Sequence, residues 1–227
     1  MSIASGFAHD LFISYAHADD AASGGRSAGF VSQFVTDLMA EVERKLGGAL
    51  DIWWDRQDLA GNMPVSPEIV QAASQAAGIV VLVSPAYLRS EWCRRERSTF
   101  LQALRTRAGS GAVFIVLIEN LARERLPAEL QDLVGYQFWK PLDDGRTTRP
   151  LRVDFETERQ TYYDRLCELV QNVADHLDAL AMRTADTPST RTEDRRGADT
   201  DAPRVVLAEV TDDLIHQRED VRSYLEQ

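Results

Sequence analysis

The sequence predicts an α/β protein: a doubly wound, five-stranded parallel sheet with helices on both faces. Three observations predict it. Strand-like and helix-like segments alternate from residue 11 to residue 180, the pattern of parallel strands joined by right-handed crossovers. Ile79-Val80-Val81-Leu82-Val83 is apolar without interruption, so that strand is covered on both faces, as in the middle of a parallel sheet. Phe30, Val31, Phe34, Val35, Leu38, Met39, Val42 and Leu46 recur at helical spacing, so one face of that helix packs on a sheet.

Taken in order, Leu11 to Tyr15 reads as a buried strand, and a Gly- and Ser-rich loop follows through Gly29. The amphipathic helix from Phe30 stops at Gly47-Gly48, where glycine adopts the left-handed turn that ends helices. Leu50 to Trp54 is a second strand, and Asp55 to Asn62 is a polar loop. Ser66-Pro67-Glu68 combines an N-cap residue, a proline at the first helical position and an early acid. That helix is expected to reach about Ala77, with Gly78 ending it before the Ile79–Val83 strand. Ser90 caps a helix from Glu91 to about Arg107. Val113 to Ile118 is a further buried strand, Gln137-Phe138-Trp139 closes the sheet, and Glu158 to Leu180 is a long helix. Residues 183–203 have no Leu, Ile, Val or aromatic residue. They cannot bury enough surface to offset their ordering entropy and are expected to be a flexible linker. Residues 204–227 repeat a strand-then-helix pattern and read as the truncated start of a second α/β domain, or else as a terminal helix docking on the first.

Composition narrows the function classes. The formal net charge is −11, which repels phosphate backbones and anionic membranes. No direct nucleic-acid partner and no membrane partner are expected. No apolar run approaches the about 20 residues needed to span a bilayer, and no signal peptide is recognisable. Cys93 and Cys167 are the two cysteines. They lack metal-ligand spacing, so no metal is expected, and they fit a reducing, cytoplasmic setting.

An open parallel sheet binds ligands beyond the carboxyl ends of its strands, where strand order reverses. For a flavodoxin-like order that point lies between the first and third strands. The candidate lining is therefore Ser14 to Asp20 and Ser84 to Trp92. The helix after the third strand brings Trp92, Glu96 and Phe100 to roughly one face. Spacing alone leaves Glu96 open: a ligand-site carboxylate, or a solvated glutamate beside a half-buried tryptophan. Several enzyme classes are excluded. No Gly-x-Gly-x-x-Gly follows the first strand, no Gly-x-Ser-x-Gly occurs, and Gly24 to Gly29 lacks the Lys-Ser/Thr of a phosphate loop. His17 reads as a loop histidine. Arg94, Arg95 and Arg97 read as a charged outer face or a partner surface.

Four stretches together resemble a known family. They are His9 to Ala16; Trp54-Asp55-Arg56 with Asp58 and Gly61; Val80 to Pro85; and Ser90-Glu91-Trp92-Cys93-Arg94-Arg95-Glu96. Their order is similar to that of a bacterial Toll/interleukin-1 receptor (TIR) domain, over residues 7–182. Some members of that family signal by TIR–TIR contact, and others cleave NAD at the nicotinamide–ribose bond. In the cleaving members a glutamate stands four residues after the tryptophan of the last motif, as Glu96 follows Trp92. The resemblance thus implies an NAD glycohydrolase with Glu96 as catalytic carboxylate and NAD as substrate, without a separate cofactor. It implies pocket lining by Phe12, Ser14, Tyr15 and Ser84, and stacking surfaces on Trp92 and Trp54. It also implies an effector module of a prokaryotic defence system, switched on by TIR self-assembly, with a downstream sensor domain or partner supplying the trigger. The alternatives are a non-enzymatic TIR adaptor and a nucleotide-binding domain without catalysis. The sequence departs from the family at Gly61-Asn62-Met63-Pro64, where an aromatic residue often stands, in its longer first loop, and in an apparent insertion over residues 141–157.

Overall fold

The computed structural model describes residues 2–22, 28–54, 67–107, 111–145 and 147–185. Five parallel strands form the sheet: β1 (His9–Ser14), β2 (Ile52–Trp53), β3 (Ala76–Val83), β4 (Ala112–Leu117) and β5 (Gly135–Gln137). Their order is β2-β1-β3-β4-β5, so strand order reverses between β1 and β3. The helices are α1 (Phe30–Leu46), α2 (Pro67–Gln75), α3 (Pro85–Arg89), α4 (Glu91–Thr106), α5 (Ala128–Gln131) and α6 (Glu156–Ala185). A short antiparallel hairpin, β6 (Trp139–Pro141) with β7 (Thr148–Pro150), precedes α6.

The two-residue period of the strands sorts the core into two layers. Leu11, Ile13, Val80, Leu82 and Val116 face one side, where they pack with Phe34, Leu38, Phe138, Leu166 and Val173 of α1, α6 and the segment after β5. Phe12, Ile79, Val81, Val83 and Ile115 face the other, where they meet Ile69 of α2 and Phe100 of α4. Each fully buried side chain of this kind contributes about 1.5–3 kcal/mol relative to exposure. The doubly wound expectation holds because both faces of β3 are buried along its whole length.

Helix α1 ends where its sequence says it should. Gly47 is left-handed (φ 66°) and its N–H donates to Glu43 O at 2.8 Å. At the other end, Asp20 accepts from Ser32 N at 2.7 Å and from Ser32 Oγ at 2.6 Å. A carboxylate from the preceding loop thereby satisfies a first-turn N–H. The fully buried Asp10 accepts from Ser2 Oγ, Ala4 N and Asp51 N, and so fastens the N-terminal segment and the approach to β2 onto β1.

Several elements differ from expectation beyond a shift of one or two residues at their ends. Helix α2 stops at Gln75, and Ala76, Ala77 and Gly78 begin β3 instead of ending the helix. A Cβ on Gly78 would stand 3.1 Å from Leu11 Cδ2 and 3.4 Å from Phe114 Cε2. Gly78 is therefore a point of close packing in the sheet, not a helix stop. The Gln137–Trp139 run is divided: Gln137 ends β5, Phe138 turns into the core, and Trp139 opens β6. α3 was not foreseen. Helix α6 runs to Ala185, past the start expected for the linker; residues 186–203 and the strand–helix pattern at 204–227 lie outside the described residues, as does the polar loop at 55–62.

The apparent insertion is a fastened hairpin. Glu158, at the start of α6, is 3% exposed. Arg149 donates to both of its carboxylate oxygens, at 2.8 and 2.5 Å, and Arg152 N adds a third bond at 3.0 Å. Lys140 lies 3.3 Å away. Burial pushes the Glu158 carboxyl up, but these donors outweigh it and hold it below the usual carboxylate range.

Candidate active site at the carboxyl ends of β1 and β3

Three segments converge where strand order reverses. Ser14 ends β1, Ser84 follows β3, and the first turns of α4 cross both. Ser84 Oγ accepts from Tyr87 N at 2.9 Å, with Pro85 at the first helical position, which starts α3. Ser90 Oγ likewise accepts from Cys93 N and starts α4. Two caps within one short stretch set the angle at which α4 approaches β1.

That approach brings Glu96 onto Ser14. Ser14 Oγ donates to Glu96 Oε2 at 2.6 Å, and Tyr87 OH lies 3.2 Å from the same hydroxyl. Ser14 is fully buried and Glu96 is partly exposed. The carboxylate is thus anchored at Oε2 by a buried hydroxyl while the residue keeps part of its surface exposed. Trp92 lies one turn earlier on α4, half-buried against the Phe12–Phe100 layer. Cys93 is buried, its Sγ donating to Tyr15 O at 3.3 Å; burial, with Glu96 nearby, pushes its thiol up to about 12. It is a neutral packing residue at any ordinary pH.

The expected site residues fall into distinct places. Ser14 and Glu96 come together, and Trp92 stands one helical turn from Glu96 on α4. Phe12 shares Ser14's face of the sheet but is fully buried, stacked on Trp53 with ring centroids 4.9 Å apart. Ser84 is buried and donates to Asp19 Oδ2 at 2.7 Å. Tyr15 follows Ser14 directly and so points to the opposite face, where its ring lies 6.2 Å from Trp54 and 5.4 Å from His17. Trp54, Asp20, Ser32 and Thr36 line a separate cavity of about 290 Å3.

Arg97 corrects the reading of the basic run. It is 5% exposed, on the buried stripe of α4 with Cys93 and Phe100. Its Nε donates to Glu129 Oε1 at 2.9 Å, and its guanidinium sits 5.7 Å from the centre of the Tyr87 ring. Only Arg94 and Arg95 face outward, beside Glu91. Helical geometry is the reason: positions 93, 97 and 100 share a face, and position 97 leaves it to 94 and 95 to meet solvent.

Asp19 and Tyr87 fall within the candidate lining, Ser14 to Asp20 and Ser84 to Trp92, but the sequence gives neither a role of its own. Asp19 borders a cavity of about 380 Å3 that it shares with Glu119 and Arg149. Its carboxyl is pushed up to about 6, mainly by burial and further by Glu119, against the lowering effect of the Ser84 hydroxyl. The Ser84-Pro85 pair is the signal that could have revealed α3, and with it Tyr87. Among the described residues no cluster of His, Cys, Asp and Glu could hold a metal ion, and no helix is long and apolar enough to cross a membrane.

A family model described as a TIR domain matches residues 11–152. No curated protein matches the sequence. Solved structures similar to the chain include the TIR domain heterodimer of RPS4 and RRS1, at 18% identity, covering 74% of this chain and 97% of that one with a TM-score of 0.43. The TIR domain of the Toll-related receptor TRR-2 from Hydra magnipapillata is 12% identical, covering 72% and 98%, with a TM-score of 0.40. A metazoan TIR-STING receptor from C. gigas in complex with 2',3'-cGAMP is 17% identical, with a TM-score of 0.42; the match covers 76% of this chain and 40% of the receptor.

Proposed function

The chain belongs to the TIR domain family, and from that premise we propose that it is an NAD glycohydrolase with Glu96 as its catalytic carboxylate. The observation that carries the reading is the 2.6 Å hydrogen bond that fixes Glu96 over the end of β1. It sets a carboxylate at the point where an open parallel sheet receives ligands.

The chemistry suits a single carboxylate. Nicotinamide is attached to ribose as a cationic pyridinium. When the glycosidic bond breaks, its electron pair goes to the ring nitrogen, and nicotinamide leaves neutral without an acid catalyst. Positive charge develops at the ribose anomeric carbon. Glu96 accepts hydrogen bonds from the ribose hydroxyls and opposes that charge. Water then adds to the anomeric carbon and loses a proton to solvent, giving ADP-ribose. Trp92 offers a flat aromatic face one helical turn away.

TIR self-assembly is the proposed switch, and a prokaryotic defence system in the cytoplasm the proposed setting. An open crevice leaves the ribose wet, where a carboxylate opposes positive charge weakly; a neighbouring domain that excludes water strengthens the interaction. The experiment is nicotinamide release from NAD, followed by chromatography over rising protein concentration, with wild type and Glu96→Gln. Release by the wild type alone supports the reading. No release at any concentration, with retained TIR–TIR binding, would instead establish an adaptor.

A further inference from the structure

We propose that Tyr87 is a positioning residue for Glu96, acting through the hydroxyl of Ser14. This rests on the reading of Glu96 as the catalytic carboxylate.

The directions of the hydrogen bonds carry the argument. Ser14 has one hydroxyl proton, and an ionised Glu96 only accepts. At 2.6 Å, Ser14 gives that proton to Glu96 Oε2. Its lone pairs then face Tyr87 OH, 3.2 Å away. Tyr87 also lies 3.4 Å from Cys93 O, the longer of its two choices. Behind it, Arg97 Nη1 is 3.5 Å from the phenol oxygen, and a guanidinium only donates. The line therefore runs one way: Arg97 to Tyr87, Tyr87 to Ser14, Ser14 to Glu96. Glu129 holds Arg97 in place from α5.

A serine hydroxyl turns freely unless something fixes it. Tyr87 is the donor that leaves Ser14 with its proton aimed at the carboxylate. Aligned donors polarise one another, so the last bond to Glu96 is strengthened by those behind it. Burial pushes the Tyr87 phenol well above its ordinary range, and it keeps its proton at any pH the enzyme meets. The neighbouring Cys93 thiol is neutral for the same reason. The Asp19 carboxyl, near this line, is pushed up to about 6 by burial. It reaches α3 through Ser84, whose hydroxyl also accepts Tyr87 N. An Asp19→Asn background removes that contribution from any pH profile.

The test uses the full chain carrying Tyr87→Phe, Ser14→Ala and the double substitution, each in the Asp19→Asn background. The readouts are kcat and KM for NAD cleavage, the acid limb of the kcat/KM profile, and the Glu96 carboxyl titration by carbon-13 NMR. Tyr87→Phe should lower kcat by roughly three- to tenfold, the worth of one hydrogen bond, with KM little changed. The acid limb and the Glu96 titration should both move to higher pH. Ser14→Ala should do the same, and Tyr87→Phe should then add nothing. Ser14→Thr, which keeps the hydroxyl, should restore the wild-type titration. Multiplying effects in the double variant, or lost activity with an unmoved titration, would overturn the proposal. If Tyr87→Phe does not fold, 3-fluorotyrosine at position 87 keeps the hydroxyl as a stronger donor and should lower the Glu96 titration; an unchanged titration would count against the proposal. If wild type releases no nicotinamide, the glycohydrolase reading fails, and the NMR titrations alone decide whether Tyr87 positions Glu96.

Discussion

Ser84 Oγ donates to Asp19 Oδ2 at 2.7 Å, which joins the loop after β1 to the first turn of α3. The Asp19 carboxyl stands at about 6 against an ordinary value of 3.8. A raised folded pKa means that the folded state binds the proton more tightly than the unfolded chain. The stabilisation is complete below the ordinary aspartate value and is lost as pH rises through about 6. Above that pH the folded protein holds a poorly solvated charge, costing at most about 3 kcal/mol. Asp19→Asn should therefore raise the melting temperature at pH 7–8 and leave it nearly unchanged near pH 4. Parallel melting curves for the two proteins over that range would contradict this origin of the shift.

Glu158 has the opposite sign. Its pKa is lowered by Arg149, the Arg152 N–H and Lys140 in spite of burial. Its stabilisation is present above the unfolded glutamate pKa and disappears as pH falls through the folded one. Glu158→Gln removes one partner of a nearly buried pair, which costs 3–5 kcal/mol when both partners are fully buried. Arg149 is 27% exposed, so the expected loss is smaller, about 2 kcal/mol. Urea unfolding at pH 7 measures it. The difference between the variant and wild type should shrink in acid.

Glu96→Gln keeps the size of the side chain and an acceptor for Ser14, so the fold should be undisturbed. Removing the charge should lower nicotinamide release at least about 100-fold, the scale seen when one group stabilising a transition-state charge is lost. The melting temperature should stay close to that of wild type. Turnover like the wild type would move the catalytic role elsewhere.

Specific activity should rise with protein concentration or crowding. Gly61→Pro, at a position outside the described residues, should blunt that rise without unfolding the protein, as far-ultraviolet circular dichroism would report. Constant specific activity from a strictly monomeric sample would exclude activation by assembly.

Much of the fold was legible because local chemistry and tertiary packing agree. Helix α1 was readable at both ends: its apolar face is regular and Gly47 can take the left-handed turn. Gly78 was misread because glycine after a helical pattern normally ends the helix, whereas here it lets Leu11 and Phe114 approach β3. Ser14 and Tyr15 face opposite sides because they are successive residues at the end of β1, which the two-residue period of a strand already implies. Arg97 was hidden by its charged neighbours, since three arginines in four positions read as surface until Cys93 and Phe100 are seen to share its stripe. The contact between Tyr87 and Ser14 had no local signal. It spans 73 positions and exists only once α3 is folded against β1.

The two cysteines differ in a way that is useful at the bench. Cys93 is buried, with a thiol pushed up to about 12, and Cys167 is exposed on α6. Maleimides react with accessible thiolates, so under native conditions a fluorophore should attach at one site. That site lies on the face of the sheet opposite Glu96. A singly labelled sample would let energy transfer between molecules report association while the carboxylate stays unmodified.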